Sequence, residues 1–309
     1  RHLSMLKRVI LLSLCFMVSG TCWAEPLSLQ IRGHVVREPI FSLFAAPGET
    51  VRIGVMDAAG DHLELDSPPA VGGAPADDHW NIESPVTPGL YRFSLEHPQE
   101  KRATAFNLFV GYTENDVLDG ILNGYLIGPK PPVHSRYPGL YAGPELYFEV
   151  TPQSLDTRLS PNFTLRQFLC KQESGFPKYL VIKESLLVLL EGLLEAVREA
   201  GYPAETFGII SGYRTPHYNQ LIGNVPNSRH VYGDAMDFYV DIDGDGRLDD
   251  MNSDGVHDSA DVDLLYNIVQ DYKRSPASKL LLGGVGRYYK TTRHGGFVHV
   301  DARGFSARW

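Results

Sequence analysis

Between Thr50 and Val110, apolar residues recur at every second position in short runs, and each run stops at a cluster of proline, glycine or aspartate. Val51, Ile53 and Val55 alternate in "TVRIGVMD", Tyr91, Phe93 and Leu95 alternate in "LYRFSLEH", and "TAFNLFVGY" is a third such run. Period two is the signature of a strand with one buried face, because successive side chains point to opposite sides of a sheet. The breaks "APGE", "SPPAVGGAPADD" and "TPGLY" are turn-formers. Short alternating strands at this spacing predict an all-β sandwich over residues 25–112. His34, His62, His79 and His97 are scattered through it without a catalytic spacing and are read as structural or surface groups.

The pattern then changes. Residues 113–150 form a connector rich in Gly, Pro and Tyr, with "IGPKPPVHSRYPGLYAGPELYFEV" at its centre. Prolines push the residues before them towards extended backbone, so one or two strands are expected here. From Thr151 the text interleaves helices and strands. "LSPNFTLRQFLCKQ" predicts a short helix capped by Ser or Asn, and Lys183–Ala200 predicts a long one, with Leu186, Leu190, Leu193, Leu194 and Val197 on one face and Gly201 and Pro203 ending it. Strands are expected at Phe207–Ser211, in "GDAMDFYVD", in "GGVGRYY" and in "GFVHVDARG", and a further helix at Asp261–Lys273. Without strict strand–helix–strand spacing, residues 151–309 read as an α+β domain on an antiparallel sheet.

With 309 residues the chain has room for about two domains. Its formal net charge of -9 disfavours general nucleic-acid binding, which needs a basic footprint. Much of the acidity is local, in Asp241–Asp263. At the other end, Lys7 and Arg8 precede the apolar run Val9–Val18 and a small-residue site ending at Ala24. This reads as a signal peptide over residues 1–24, with the four residues before Met5 an artefact of the gene start. The apolar run is short of the roughly 20 residues that span a bilayer. An exported protein, periplasmic or extracellular, without a stable membrane anchor is expected; Ser19-Gly20-Thr21 fits a lipoprotein box at Cys22 poorly. Removal of Cys15 and Cys22 leaves Cys170 alone in an apolar context, so no internal disulfide is expected, and stability must come from core packing or bound metal.

Three segments of the C-terminal half carry the chemistry. "SRHVYGDAMDF" holds His230 and Asp237, "GFVHVDARG" holds His299 and Asp301, and "SGYRTPHYN" holds Arg214 after a strand. A lone His–Asp pair is ordinarily structural. Here Gly233 and Ala235 lie between the two, and small residues let the backbone pass close to an ion. Two imidazoles and a carboxylate with a fourth position left for water are the ligand set of a catalytic zinc.

The order "S-x-H-x-x-G-x-A-x-D" followed by "H-x-D" resembles the zinc D-alanyl-D-alanine carboxypeptidase and murein endopeptidase family, the LAS-type peptidases with a hedgehog-like fold. "SGYRTPHYN" is similar to the upstream segment of that family, and the resemblance runs from about Leu159 to Trp309. It implies zinc ligands at His230, Asp237 and His299 and a substrate contact at Arg214, whose planar fork suits a carboxylate. Tyr213 and Ser228, within the same motifs, join it as expected substrate contacts. The implied substrates are peptidoglycan stem peptides or cross-links. Many relatives place a Glu just before the last ligand as general base. "TTRHGGFVHVD" has none there, and His294 is expected either to carry the proton or to steady the oxyanion, with Asp301 orienting a ligand imidazole. The rival expectation is a non-catalytic cell-wall-binding module that keeps the fold. In the N-terminal half, "SPVTPGLYRFSL" resembles the penultimate strand of an immunoglobulin-like module, which makes the expected sandwich immunoglobulin-like.

Directly after the Asp237 strand lies "DIDGDGRLDDMNSDGVHDSAD". Asp250–Asp261 offers oxygen ligands at Asp250, Asn252, Asp254, Asp258 and Asp261, with Gly255 at the sixth place, as in a twelve-residue calcium loop. The preceding frame offers Asp241, Asp243, Asp245 and Asp249 but shares Asp250–Asn252 with the second. One or two calcium ions bracing the Asp237 strand are expected over the insertion 241–261, against the bland reading of a solvated acidic loop.

Overall fold

The computed structural model describes residues 25–309 and, ahead of them, the backbone of two three-residue strands, Phe16–Val18 and Thr21–Trp23. The rest of the leader, and with it the signal-peptide reading and Cys15, lies outside the described residues. Among those described, no helix is long and apolar enough to cross a membrane.

The alternating runs form strands where expected: Thr50–Val55, Gly89–His97 and Arg102–Val110. They are distributed over two sheets. One has four strands in the order Ile40–Ala45, Arg102–Val110, Gly89–His97, Glu64–Asp66. The other has five, in the order His34–Val36, Leu29–Ile31, Thr50–Val55, His79–Glu83, Gly72–Pro75. Within the four-stranded sheet the first and last strands in chain order, Ile40–Ala45 and Arg102–Val110, run parallel, with Phe41 opposite Phe106 and Leu43 opposite Leu108. Leu29, Ile31, Leu43, Ile53, Ile82, Leu95 and Leu108 have no solvent exposure.

The connector contributes Tyr112–Thr113 and Leu146–Val150, which pair with Lys178–Leu180 in a three-stranded sheet. Helix α1, Glu184–Glu199, begins at Lys183 and buries Leu186, Leu190, Leu193, Leu194 and Val197, the predicted face. The expected short helix is one turn of 3₁₀ helix, Leu165–Phe168, and its cap is Thr164 rather than a Ser or Asn. Thr164 and Gln167 close a capping box: Gln167 accepts the Thr164 N–H at 2.8 Å, satisfying a donor that a lone serine would leave to water.

The C-terminal sheet has five strands in the order Gly208–Ser211, Ala235–Tyr239, Phe297–Asp301, Gly284–Tyr288, Ala307–Arg308. It is antiparallel except at one edge, where Ala307–Arg308 runs parallel to Gly284–Tyr288. Helix α2, Pro216–Leu221, follows the first strand and is capped by Thr215. Helix α3, Ser259–Arg274, buries Val262, Leu265 and Val269, while Leu264 and Ile268, expected inward, are only half-buried. The chain is thus mostly sheet with few helices, a mixed α+β arrangement. Among the described residues, buried apolar side chains from Leu27 to Val300 form one contiguous cluster, so the two regions pack against each other. Cys170 is buried and free within this core.

Candidate metal centre

The spacing of "HVYGDAMD" has a local cause. Arg229–Tyr232 is one turn of 3₁₀ helix that carries His230, and Gly233 ends it with φ +70°, a left-handed conformation that glycine adopts without strain. A Cβ on Gly233 would also lie 2.4 Å from the Val181 carbonyl oxygen, so no other residue fits. The chain then enters the strand Ala235–Tyr239, where period two sets Ala235 and Asp237 on the same face. On the neighbouring strand Asp237 lies opposite His299, and Ala235 opposite Asp301.

This brings together the three residues expected to bind metal. One potential ligand atom each from His230, Asp237 and His299 lies within 4.8 Å of the others, and all three side chains are buried. His230 Nε2 is 3.1 Å from Asp237 Oδ2, and His299 Nδ1 is 2.7 Å from Asp237 Oδ1. The far nitrogen of each ring is already committed. His230 Nδ1 donates to the Gly212 carbonyl at 2.7 Å, and His299 Nε2 donates to Asp301 Oδ2 at 3.1 Å. A carbonyl can only accept, so His230 carries its proton on Nδ1 and turns the Nε2 lone pair inward.

The electrostatics follow from the crowding. Burial works to raise the Asp237 carboxyl, but the charge and hydrogen bonds of His230 and His299 outweigh it and hold it far below the ordinary carboxylate range. Burial pushes the His299 imidazole down; its hydrogen bonds to Asp237 and Asp301 prevail and raise it to about 9. His230 is lowered, chiefly by burial. A nitrogen–oxygen–nitrogen donor set of this kind, anionic in sum and with both imidazoles oriented from behind, fits zinc.

The remaining predicted residues are partly gathered and partly not. A cleft of about 440 Å³ opens over the triad and is lined by Arg214, Ser228 and His294 as well as by the three ligands. Arg214 is buried; its Nη2 donates to Asp237 Oδ2 at 2.7 Å and its Nε to Ser211 Oγ at 2.8 Å. Its guanidinium therefore grips a candidate ligand directly, a contact the sequence reading did not anticipate. His294 sits half-buried at the rim, with Nδ1 2.8 Å from the Gly295 oxygen and its ring edge-on to Phe297. Asp301 lies behind His299, as expected. Tyr213 is a correction: its ring is buried among apolar side chains of the core, and that packing holds it away from the cleft, which Arg214 lines instead.

Sequence reasoning missed Tyr288, Phe297, Arg303 and Trp309, which also line the cleft. The Trp309 ring lies 5.2 Å from the His299 ring, and its Nε1 donates to the Tyr288 hydroxyl at 2.6 Å. The glycines of "GGVG" were the available signal: a Cβ on Gly286 would come within 2.4 Å of Trp309 Nε1.

The acidic segment is built differently from the twelve-residue frames. It consists of two turns nine residues apart that repeat the same bonds. Gly246 N–H donates to Asp241 Oδ2 in the first and Gly255 N–H to Asp250 Oδ2 in the second; Asp245 N–H donates to Asp243, and Asp254 N–H to Asn252. The carboxylates of Asp241, Asp243 and Asp245 converge within 4.8 Å. Asp249 accepts the Ile242 N–H, while Asp258 and Asp261 cap helix α3. Asp261, expected as the last calcium ligand, is fully buried and accepts N–H groups of Met251, Asn252 and Asp258, so its oxygens are occupied by backbone.

Among curated proteins no match was found. Residues 161–257, the stretch that holds Arg214, His230, Asp237 and most of the acidic segment but stops short of His294 and His299, match the model of the Peptidase M15 family, in agreement with the resemblance to the zinc D-alanyl-D-alanine carboxypeptidases.

Proposed function

We propose that the chain is an exported zinc peptidase that cleaves peptidoglycan stem peptides or cross-links, of the D-alanyl-D-alanine carboxypeptidase or murein endopeptidase type. The observation that carries this reading is the convergence of His230, Asp237 and His299 at the foot of a cleft, with both far imidazole nitrogens already bonded. These three residues would hold the zinc, which supplies Lewis acidity and a water acidified to about neutral pH. Arg214 keeps Asp237 oriented, and the guanidinium edge not spent on Asp237 and Ser211 holds a carboxylate or backbone group of the substrate. Ser228 lies beside it at the cleft wall.

His294 is assigned the proton transfers, taking one from the attacking water and giving one to the leaving amine. Asp237 is the only carboxylate among the described residues lining the cleft, and it is committed to the triad, so no Glu or other Asp is at hand for the task. An imidazole serves at neutral pH. The same lack of a second carboxylate favours, as the alternative, a non-catalytic module that binds cell wall. In the acidic segment we assign calcium to Asp241, Asp243 and Asp245, supported by their convergence and by Asp241 Oδ1, a buried oxygen without a hydrogen-bond partner.

Digestion of purified murein by the full chain, with and without chelator, followed by identification of the fragments, tests the reading and names the bond cut. Chelator-sensitive release of D-alanine or of cross-linked peptides is expected. The His294→Ala chain should keep its zinc and lose about 10²–10⁴ in turnover. A native chain that holds zinc and releases nothing is a binding module.

A further inference from the structure

Arg303 stands in "GFVHVDARG" just past the H-x-D pair, and it is the residue most heavily bonded to Asp301. Its Nε donates to Asp301 Oδ1 at 2.8 Å, its Nη2 donates to Oδ2, and its backbone N–H donates to Oδ1 at 3.1 Å. The Gly284 N–H adds another donor to Oδ1 at 2.8 Å. The same carboxylate, wholly buried, accepts His299 Nε2 on Oδ2.

The surroundings are shaped to admit this clamp. A Cβ on Gly284 would lie 2.5 Å from Asp301 Oδ2 and 2.9 Å from Arg303 Nη2; one on Gly283 would lie 1.6 Å from the Asp301 carbonyl oxygen. Trp309 covers the assembly, its ring 5.2 Å from the Arg303 guanidinium and 5.2 Å from the His299 imidazole. Arg303 is also one of the residues that line the cleft over the triad.

The physical consequence concerns a torsion. The terminal torsion of an aspartate is soft and roughly two-fold, so an unclamped carboxylate behind an imidazole swings and blurs the hydrogen bond it accepts. A guanidinium bound through two parallel N–H groups assigns each carboxylate oxygen a fixed place. With Oδ2 fixed, His299 keeps its proton on Nε2, and the Nδ1 lone pair stays directed at the space between Asp237 and His230. Partners one step behind a ligand typically govern metal affinity by 10–100-fold. Lysine could match the charge of Arg303 but not its fork.

We propose that Arg303 is a positioning residue of the metal centre, acting on His299 through Asp301. This rests on the zinc reading above. The test measures zinc affinity of the full-length chain by competition with a chromophoric chelator, and the visible spectrum of the cobalt-substituted protein, for native, Arg303→Gln and Arg303→Lys chains. Substrate is absent throughout, and the thermal midpoint of each metal-free chain is recorded alongside. Arg303→Gln should bind zinc about 10–100-fold more weakly, with a displaced cobalt spectrum, and Arg303→Lys should recover only part of the loss. Variants that bind zinc as tightly as the native chain with an unchanged spectrum overturn the proposal, even if they melt earlier, because the pair would then serve the fold alone. Full recovery by lysine overturns the argument from the fork. Where Arg303→Gln does not fold, Arg303→Lys decides. A native chain that takes up no zinc defeats the parent reading, whereas native binding with unaffected variants defeats only this inference.

Discussion

The N-terminal sheets and the C-terminal sheet obey the same period-two rule and use their inner faces in opposite ways. In the strands from Leu29 to Val110 the buried polar groups are mostly small and neutral, such as Ser42, Thr104 and Asn107, with His97 at a strand end the exception, and Asn107 is satisfied by the Arg158 carbonyl at 2.7 Å. The C-terminal sheet and its loops bury Arg214, Arg229, His230, Asp234, Asp237, His299 and Asp301. Each of these charges has a partner: Arg214 with Asp237, Arg229 with Asp234, Asp301 with His299 and Arg303. Desolvating such pairs often costs more than their attraction returns. The lesson is a division of tasks, in which one half packs for stability and the other holds charge in a fixed geometry.

The sharpest attempt to break this contrast is Asp237→Ala. It should abolish zinc uptake and, by leaving Arg214 buried without its partner, destabilise the metal-free chain by about 3–5 kcal/mol; zinc analysis and a denaturant melt read both effects. Zinc retained at native stoichiometry would remove Asp237 from the ligand set. The counterpart in the other half is Leu108→Ala, expected to cost about 2–5 kcal/mol in the same melt. Below the transition its zinc affinity should equal the native value. A parallel fall in affinity would show that the two halves do not divide their tasks.

A smaller effect sits where the halves meet. Burial, reinforced by Glu191 and Glu195, pushes the Glu38 carboxyl up to about 7. A carboxyl raised on folding favours the native state while protonated, so its contribution is full below its ordinary value of 4.5 and is lost as pH rises through about 7. Glu38→Gln should therefore flatten the decline in stability over that window, by about 1–3 kcal/mol at its upper end. An unchanged pH profile of the thermal midpoint would mean that Glu38 is solvated. The mildest expectation is for calcium. It should raise the midpoint by mass action, by at most about 2.7 kcal/mol at a hundredfold excess over its dissociation constant, and Asp241→Ala should remove most of the rise. Indifference to calcium in both chains makes the acidic turns a solvated loop.

The residues that announced themselves in sequence did so through local geometry. His230, Gly233, Ala235 and Asp237 share one turn and one strand, so their spacing is set by backbone rules that can be read from a single segment. Helix α1 was legible for the same reason, since a stripe of leucines states its own face. What stayed hidden arises from long-range pairing. The parallel register of Ile40–Ala45 against Arg102–Val110 leaves no mark in either run. Trp309 acquires its place only when Ala307–Arg308 lies against Gly284–Tyr288, although the glycines on that strand register the crowding, whereas Arg303 reaches Asp301 from only two residues away. Tyr213 was misplaced because a motif names neighbours without saying which way each faces. Asp261 was misread because a carboxylate at a loop's end caps a helix as readily as it binds an ion.

Glu184, at the first turn of helix α1, accepts the backbone N–H of Phe44 at 3.1 Å and the Nε of Arg32 at 3.3 Å. Its carboxyl is buried and is raised chiefly by burial, against the pull of Arg32. A segment that places such a group at its edge cannot be traded freely between proteins. A chain in which residues 151–309 were joined to a different neighbour would strand this buried acidic side chain without the Phe44 N–H and without Arg32, the cation that answers it. Exchanging the second half alone would therefore carry an energetic cost, and the pairing of Arg32 with Glu184 ties the two halves into one folding problem.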